Sequence, residues 1–427
     1  MLVVLLVFLF LLIFGMPVAF AIGISGLVFF LTAPDVPISI AVQRTLTTSQ
    51  SFTMLAIPLF IFAGHLMNST GITKRLITLS NVLTGHMYGN LAQVSVVLST
   101  LMGGVSGSAV ADAAMQSRVL GPQMIKRGYK PAYGAAVNGI TSLITATIPP
   151  SMGLIIYGSV GEVSIGRLFA GGIIPGILMM VILMATVSYT SRRNNYLPER
   201  TTYPSFKEVF IAFKDGIWAL LFPIILIVGI RFGIFTPSES GAFAVMYAIF
   251  IGAIVYKDLT WKKFWESVHD SAVDIGAIML IISLSGIFGY GIVYDGVTQS
   301  LSSLVSGITE NQYFLFAIII FTLIIAGMFV ETTVVTLLLT PIFVPIITNV
   351  GIDPVHFGLV MMTVTTFGIM TPPMGVSLFA TSQIMGASPE DTVKEAIPFY
   401  LAVMAVVLIM VFFPDIVLFI PDIVFGK

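Results

Sequence analysis

Apolar residues in this chain come in long unbroken runs, with neither the alternation of a half-buried strand nor the single stripe of a soluble helix. No Asp, Glu, Lys or Arg occurs over 2–34, 45–73, 76–111, 131–161, 168–191, 241–256, 275–294 or 354–389. A helix that crosses the hydrocarbon layer needs about 20 such residues, so each run predicts one crossing or a pair of half-crossings. Membrane barrels alternate polarity residue by residue, and these runs do not. The chain therefore reads as an all-α polytopic membrane protein. The first run, 1–32, is too long for one helix. It lacks the basic leader and small-residue cleavage site of a signal peptide, and the N-terminus is expected outside.

The chain also repeats itself. At an offset of 223, Pro122, Pro131, Pro149, Pro150 and Pro175 fall on Pro345, Pro354, Pro372, Pro373 and Pro398, and these are all five prolines between 100 and 180. Gly104, Gly128 and Phe20 fall on Gly327, Gly351 and Phe243. Five chance proline matches would occur roughly once in three million at one offset, and about once in ten thousand over a few hundred offsets, so the halves are read as related. Loops that are basic in one half are not basic in the other. Positions equivalent to Lys257–Lys263 are Pro34–Ile40, and those equivalent to Arg118, Lys126, Arg127 and Lys130 are Pro341, Asn349, Val350 and Asp353. That asymmetry is expected of inverted repeats.

One path satisfies these signs. The first repeat spans 1–190, with a hairpin over 91–124 that dips in and returns, a broken helix over 134–160, and crossings at 51–67 and 168–190. A cytoplasmic linker follows over 191–215. The second repeat, 216–427, places crossings at 217–235, 240–256, 275–294 and 396–420, a hairpin over 313–350 and a broken helix over 356–384.

Helices break at four places paired by the repeat: Gly103–Ser108 with Gly327–Thr333, and Thr145–Ser151 with Gly368–Pro373. A lone proline in a membrane helix is most often a kink, and a glycine patch most often packs helices. Paired breaks rich in hydroxyls are different, because irregular backbone at membrane depth persists only when buried or facing a cavity. A Pro-Pro pair frees carbonyls just upstream, hard oxygens suited to Na⁺. The half-helix that follows presents unpaired N–H groups suited to a carboxylate. Two tips and two breaks meeting near the midplane would form one central site between two ion sites.

Composition narrows the class. Only 9% of 427 residues are charged, mean hydropathy is +1.03 and the net charge is −1, so a soluble domain and a nucleic-acid partner are both excluded. With no Cys and four scattered His, no metal site other than one for Na⁺ is expected. Asp112 and Glu331 stand in apolar surroundings, where an ionisable group is functional by default. Each is a candidate ion ligand, proton carrier or half of a buried pair with Arg118 or Arg231. Thr236-Pro237-Ser238, between Arg231 and Glu239, reads as a surface loop.

Gly103–Asp112 with Ile148-Pro149-Pro150-Ser151, and Glu331-Thr332-Thr333 with Thr371-Pro372-Pro373, resemble the large membrane subunit of TRAP (tripartite ATP-independent periplasmic) transporters over essentially the whole chain. The resemblance implies the elevator-type ion-transporter superfamily fold, a scaffold and a mobile domain carrying the hairpins, in a bacterial inner membrane. It implies Na⁺-driven import of an organic acid, of the sialic acid or C4-dicarboxylate class, delivered by a periplasmic binding protein. A small four-helix membrane subunit is implied as a partner, here as a separate chain. Within the family the chain looks most like the sialic acid branch. Residue by residue, the first ion site maps to Ser106, Gly107, Ser108, Thr145, Ile148 and Pro150. The second maps to Thr332, Thr333, Gly368, Thr371 and Pro372. Substrate contacts map to Ser108, Ser151, Glu331 and Asp112. No catalytic residue and no enzymatic activity are expected.

Two other functions stay open on the residues alone. A binding-protein-independent Na⁺/dicarboxylate symporter would share the same breaks. Gly104-Val105-Ser106-Gly107 also matches the four-residue nucleophile pattern of intramembrane serine proteases, which require a histidine partner.

Overall fold

The structure, a computed structural model, describes residues 1–297, 299–300 and 311–426. Every regular element among them is helical: α1 Leu2–Ile13, α2 Val18–Thr32, α3 Ser39–Ser49, α4 Ala56–Ser69, α5 Ile72–Thr84, α6 Asn90–Gly103, α7 Ala109–Val119, α8 Gly121–Lys126, α9 Pro131–Thr147, α10 Met152–Val160, α11 Ile165–Arg193, α12 Phe206–Arg231, α13 Pro237–Phe250, α14 Trp261–Tyr294, α15 Gln312–Phe329, α16 Thr332–Asn349, α17 Pro354–Gly368, α18 Val376–Met385, α19 Pro389–Phe412 and α20 Asp415–Phe425. Among the described residues, eight helices are long and apolar enough to cross a membrane, counting α4 with the 3-10 turn Phe52–Leu55 before it and α13 with the π turn Ile251–Val255 after it, or nine with the bent pair α9–α10 taken as one span. The chain is an all-α polytopic membrane protein.

The first apolar run resolves into α1 and α2, separated at Gly15-Met16-Pro17, where proline ends one ladder and pre-sets the next helix. The expected 191–215 linker is helical at both ends, leaving 194–205 as the connection. The crossing expected at 217 starts at Phe206, because Ser205 and Glu208 form a reciprocal capping box. The crossing expected at 275 starts at Trp261. At 34 residues α14 is about 51 Å long, well beyond a hydrocarbon layer of about 30 Å, so its charged first turns project from the slab. Thr236-Pro237-Ser238 is not a loop: Thr236 and Glu239 form a second capping box that opens α13.

The two broken helices lie at the centre. In α9 every residue from Tyr133 to Thr147 is buried, and in α17 every residue from Val355 to Gly368. Helices apolar on all sides belong in a core. Around α9 pack α6, α7, α11, α17, α18 and α19, while α2, α3 and α4 pack on α14, and α4 also on α13. The connection after α11 is tied to the base of the first hairpin. The backbone N–H groups of Glu199 and Arg200 donate to the Gly85 carbonyl at 3.0 and 3.1 Å. Arg127 pairs with Glu199 at 2.9 Å.

Where α15 passes α17 the backbones touch. A Cβ on Gly327 would sit 2.7 Å from the Thr365 carbonyl oxygen, and one on Gly368 would sit 2.6 Å from Cα of Gly327. Gly327→Ala should therefore destabilise the protein by about 1–3 kcal/mol through overpacking. Gly276→Ala, which meets nothing within 4 Å, should not. Thermal unfolding in detergent checks this, and equal midpoints for the two variants would refute it.

Candidate functional site

The first tip joins α6 to α7 through Gly104-Val105-Ser106-Gly107-Ser108 and lies directly against the first break. Gly107 adopts φ +61°, and a Cβ there would stand 2.4 Å from the Pro150 carbonyl oxygen. Only glycine fits a left-handed turn pressed on a neighbouring carbonyl. A Cβ on Gly103 would likewise stand 2.6 Å from the Ile148 side chain. Ser108 and Ser151 cap α7 and α10, accepting from Ala111 N–H at 3.4 Å and Leu154 N–H at 3.5 Å. The Ser106 hydroxyl is buried without a partner. Among the described residues no histidine hydrogen-bonds to it: His65 pairs with Asp274, and His356 bonds the Met410 carbonyl. The protease arrangement is therefore not assembled.

Behind this tip lies Asp112, 1% exposed. Its Oδ2 accepts from Ser99 at 3.0 Å, Gln116 at 2.8 Å and Thr145 at 2.7 Å. Its Oδ1 is buried with no partner. Neither Asp112 nor Glu331 forms an ion pair among the described residues, so the pairs with Arg118 and Arg231 are not formed. Thr145 also lies within 3.0 Å of the Ser99 carbonyl. Its hydroxyl serves this cluster and not the break.

The second tip is shorter. Glu331 caps α16, its Oε2 accepting from the Thr333 N–H at 2.9 Å and its Oε1 from the Thr333 hydroxyl at 3.0 Å. The Thr332 hydroxyl is buried and unpartnered. The second break runs over 369–375, and the Thr371 hydroxyl donates to the Phe367 carbonyl at 2.8 Å. Both Pro-Pro bonds, 149–150 and 372–373, are cis. Pro149, Pro150 and Ser151 are buried, whereas Pro372, Pro373 and Met374 are exposed.

The two tips meet. A cleft of about 30 Å³ is lined by Gly107 and Ser108 from the first, Glu331, Thr332 and Thr333 from the second, and Met152 at the start of α10. By volume it holds about one water-sized atom. The N-termini of α7, α10 and α16 all reach it, each carrying about half a positive charge, and no Lys or Arg lines it. Ser106, Asp112, Thr145, Ile148, Pro150, Ser151, Gly368, Thr371 and Pro372 are not in its lining. Met362 and Thr366 of α17 are, and neither was singled out in the sequence. Their only signal was the hydroxyl-rich stretch Thr363-Val364-Thr365-Thr366 upstream of the second break. Among the described residues no three His, Asp or Glu side chains gather as metal ligands.

Residues 5–416 match the family model described as the tripartite ATP-independent periplasmic transporter, DctM component. The chain is 34% identical over 406 residues to the 2,3-diketo-L-gulonate TRAP transporter large permease protein of Escherichia coli, covering 95% of each. It is also 34% identical over 414 residues to the sialic acid TRAP transporter large permease protein of Vibrio cholerae, covering 96% of each. Equal identity to permeases named for different acids does not single out a substrate. The fold is similar to that of the Alcanivorax borkumensis YdaH transporter, with a TM-score of 0.61 at 10% identity over 88% of this chain and 87% of that one.

Removing the Asp112 carboxylate strands the buried Ser99 hydroxyl and takes one acceptor each from Gln116 and Thr145, at a cost of about 1–3 kcal/mol for the stranded donor. Asp112→Ala should lower the unfolding midpoint in detergent well below that of Asp112→Asn, which keeps an acceptor oxygen. A midpoint for the alanine variant equal to or above that of the asparagine variant would contradict the cluster.

Proposed function

Because the chain belongs to the DctM component family of tripartite ATP-independent periplasmic transporters, we propose that it imports an organic acid, coupled to Na⁺, by moving its hairpins and broken helices as a unit in an elevator motion. The observation that carries this reading is the convergence of both tips on one cleft that contains a carboxylate, Glu331, with no cation paired to it among the described residues. Three helix N-termini favour an anion there, and Glu331 opposes it. A bound cation would cancel that opposition, so anion entry and cation entry become linked through one charge.

The oxygens available fit a hard monovalent ion. Ser106 and Thr332 offer buried hydroxyls without partners, one beside each tip, and Asp112 a buried oxygen without one. Each half therefore supplies a free hydroxyl and one carboxylate. The proposed first ion site comprises Ser106, Gly107, Ser108 and the carbonyls of Thr145, Ile148 and Pro150. The second comprises Thr332, Thr333, Gly368, Thr371 and Pro372. Ser108 and Glu331 would face the substrate between them. Ser151 would act through the N-terminus of α10 that it caps.

The substrate class rests on relatives named for 2,3-diketo-L-gulonate and sialic acid, both carboxylic acids. A periplasmic binding protein and a small membrane subunit are the proposed partners, and a bacterial inner membrane the location. Two Na⁺ moving inward with one monoanion carry one net charge, worth about 2.3 kcal/mol per 100 mV.

The test is uptake into proteoliposomes holding this chain and its small subunit, with binding protein and a sugar acid outside. Uptake should rise with an inward Na⁺ gradient and require the binding protein; indifference to both would sink the proposal. Ser106→Ala removes a hydroxyl that makes no hydrogen bond, so it should weaken Na⁺ dependence several-fold without lowering the unfolding midpoint. Unchanged Na⁺ dependence would remove Ser106 from the ion site.

A further inference from the structure

The cluster behind the first tip contains more than Asp112. Gln116 donates through Nε2 to Asp112 Oδ2 at 2.8 Å and to the Ser99 hydroxyl at 2.6 Å. Its Oε1 accepts from Ser95 at 2.5 Å. Ser95 also lies 3.0 Å from Asn138 Oδ1 and 2.8 Å from the Thr141 hydroxyl. All six other members of this network, Ser95, Ser99, Gln116, Asn138, Thr141 and Thr145, are fully buried. A buried polar network of this kind is costly to assemble and is no better for stability than apolar packing of the same volume.

The second half shows that the fold does not need it. At the 223-residue offset, Asp112 falls on Val335, Gln116 on Leu339, Ser95 on Ile318, Asn138 on Met361, Thr141 on Val364, Thr145 on Gly368 and Ser99 on Thr322, which is exposed and turns its hydroxyl back to the Ile318 carbonyl. The same hairpin and broken helix form there around apolar side chains. What the network does in the first half is local and electrostatic. Three donors saturate Oδ2, while Oδ1 has no partner. Asp112 is in the first turn of α7, and its donor Thr145 is in the last turn of α9. The carboxylate thus lies one helical turn behind both the tip and the break.

We infer that Gln116, held by Ser95 and Ser99, is a positioning residue for cation capture. It pins Oδ2 of Asp112 and keeps Oδ1 as the free anionic oxygen behind the first tip. The inference rests on the Na⁺-coupled reading above and adds to it a difference between the halves. Cation affinity at the first site depends on a side-chain network that the second site lacks. Gln116 touches neither cation nor substrate and acts only through Asp112.

The test uses the complex of this chain with its small subunit in detergent, titrated with NaCl against choline chloride at constant ionic strength. Thermal unfolding reads Na⁺ binding, and uptake in proteoliposomes reads coupling. Gln116→Leu installs the residue the second half carries at Leu339. It should raise the Na⁺ concentration for half-maximal stabilisation about tenfold, the weight of one charge-assisted hydrogen bond. The half-saturating substrate concentration at saturating Na⁺ should hold. Ser99→Ala, a smaller change that decides the matter if Gln116→Leu does not fold, should shift Na⁺ in the same direction. In an Asp112→Asn background, Gln116→Leu should add no further shift. A Na⁺-responsive wild type with unchanged Na⁺ titrations in both variants overturns the positioning role alone. So does a tenfold shift that persists in the Asp112→Asn background. A wild type indifferent to Na⁺ overturns the coupling reading and this inference together.

Discussion

An unpaired backbone group in hydrocarbon costs several kcal/mol, and this chain breaks four helices inside its apolar runs. That constraint organises the molecule. Each broken segment has to be covered by protein, and the nearest protein is the tip that faces it. Coverage is close enough to demand glycine: Gly107 lies on the Pro150 carbonyl, Gly103 on Ile148, and Gly327 on Gly368. The burial of α9 and α17 on every side follows from the same need. A tip and its break are consequently neighbours for reasons of solvation before any ligand is considered. What remains uncovered is the cleft between the two tips and the Pro372–Met374 turn of the second break.

The halves meet this constraint differently. In the first, the Pro149–Ser151 turn is buried and backed by the Asp112 cluster. In the second, Pro372–Met374 is exposed, and the carboxylate stands at the tip itself as the cap of α16. Moving the acidic residue four positions along the hairpin places one charge behind its tip and the other in the cleft. A pair of sites built on one plan can therefore have unequal roles. On the proposed reading, Glu331 would sense the substrate's charge directly, whereas Asp112 would act on what binds at the tip in front of it.

Much of the architecture was legible because its causes are local. Uninterrupted apolar length predicts crossings, proline pairs predict breaks, and the 223-residue offset pairs them. Boundaries were less legible. Charge-free runs do not mark the first turns of α12 and α14, although Ser205-x-x-Glu208, the capping box that opens α12, can be read directly, as can Thr236-x-x-Glu239 at the start of α13.

The helical membrane class is written in the apolar runs, and the proline pairs mark which hydroxyl-bearing segments lie at the breaks. Which of those groups are free emerges from the packing alone. Ser108, Ser151 and Glu331 cap their own helices, Thr145 bonds to Asp112, and Thr371 bonds back to Phe367. Ser106 and Thr332 keep unpartnered hydroxyls. The reason is physical: a hydroxyl's partner depends on backbone conformation one turn away and on side chains tens of residues distant. Gln116 and Ser99 reach Asp112 only because α6, α7 and α9 pack together.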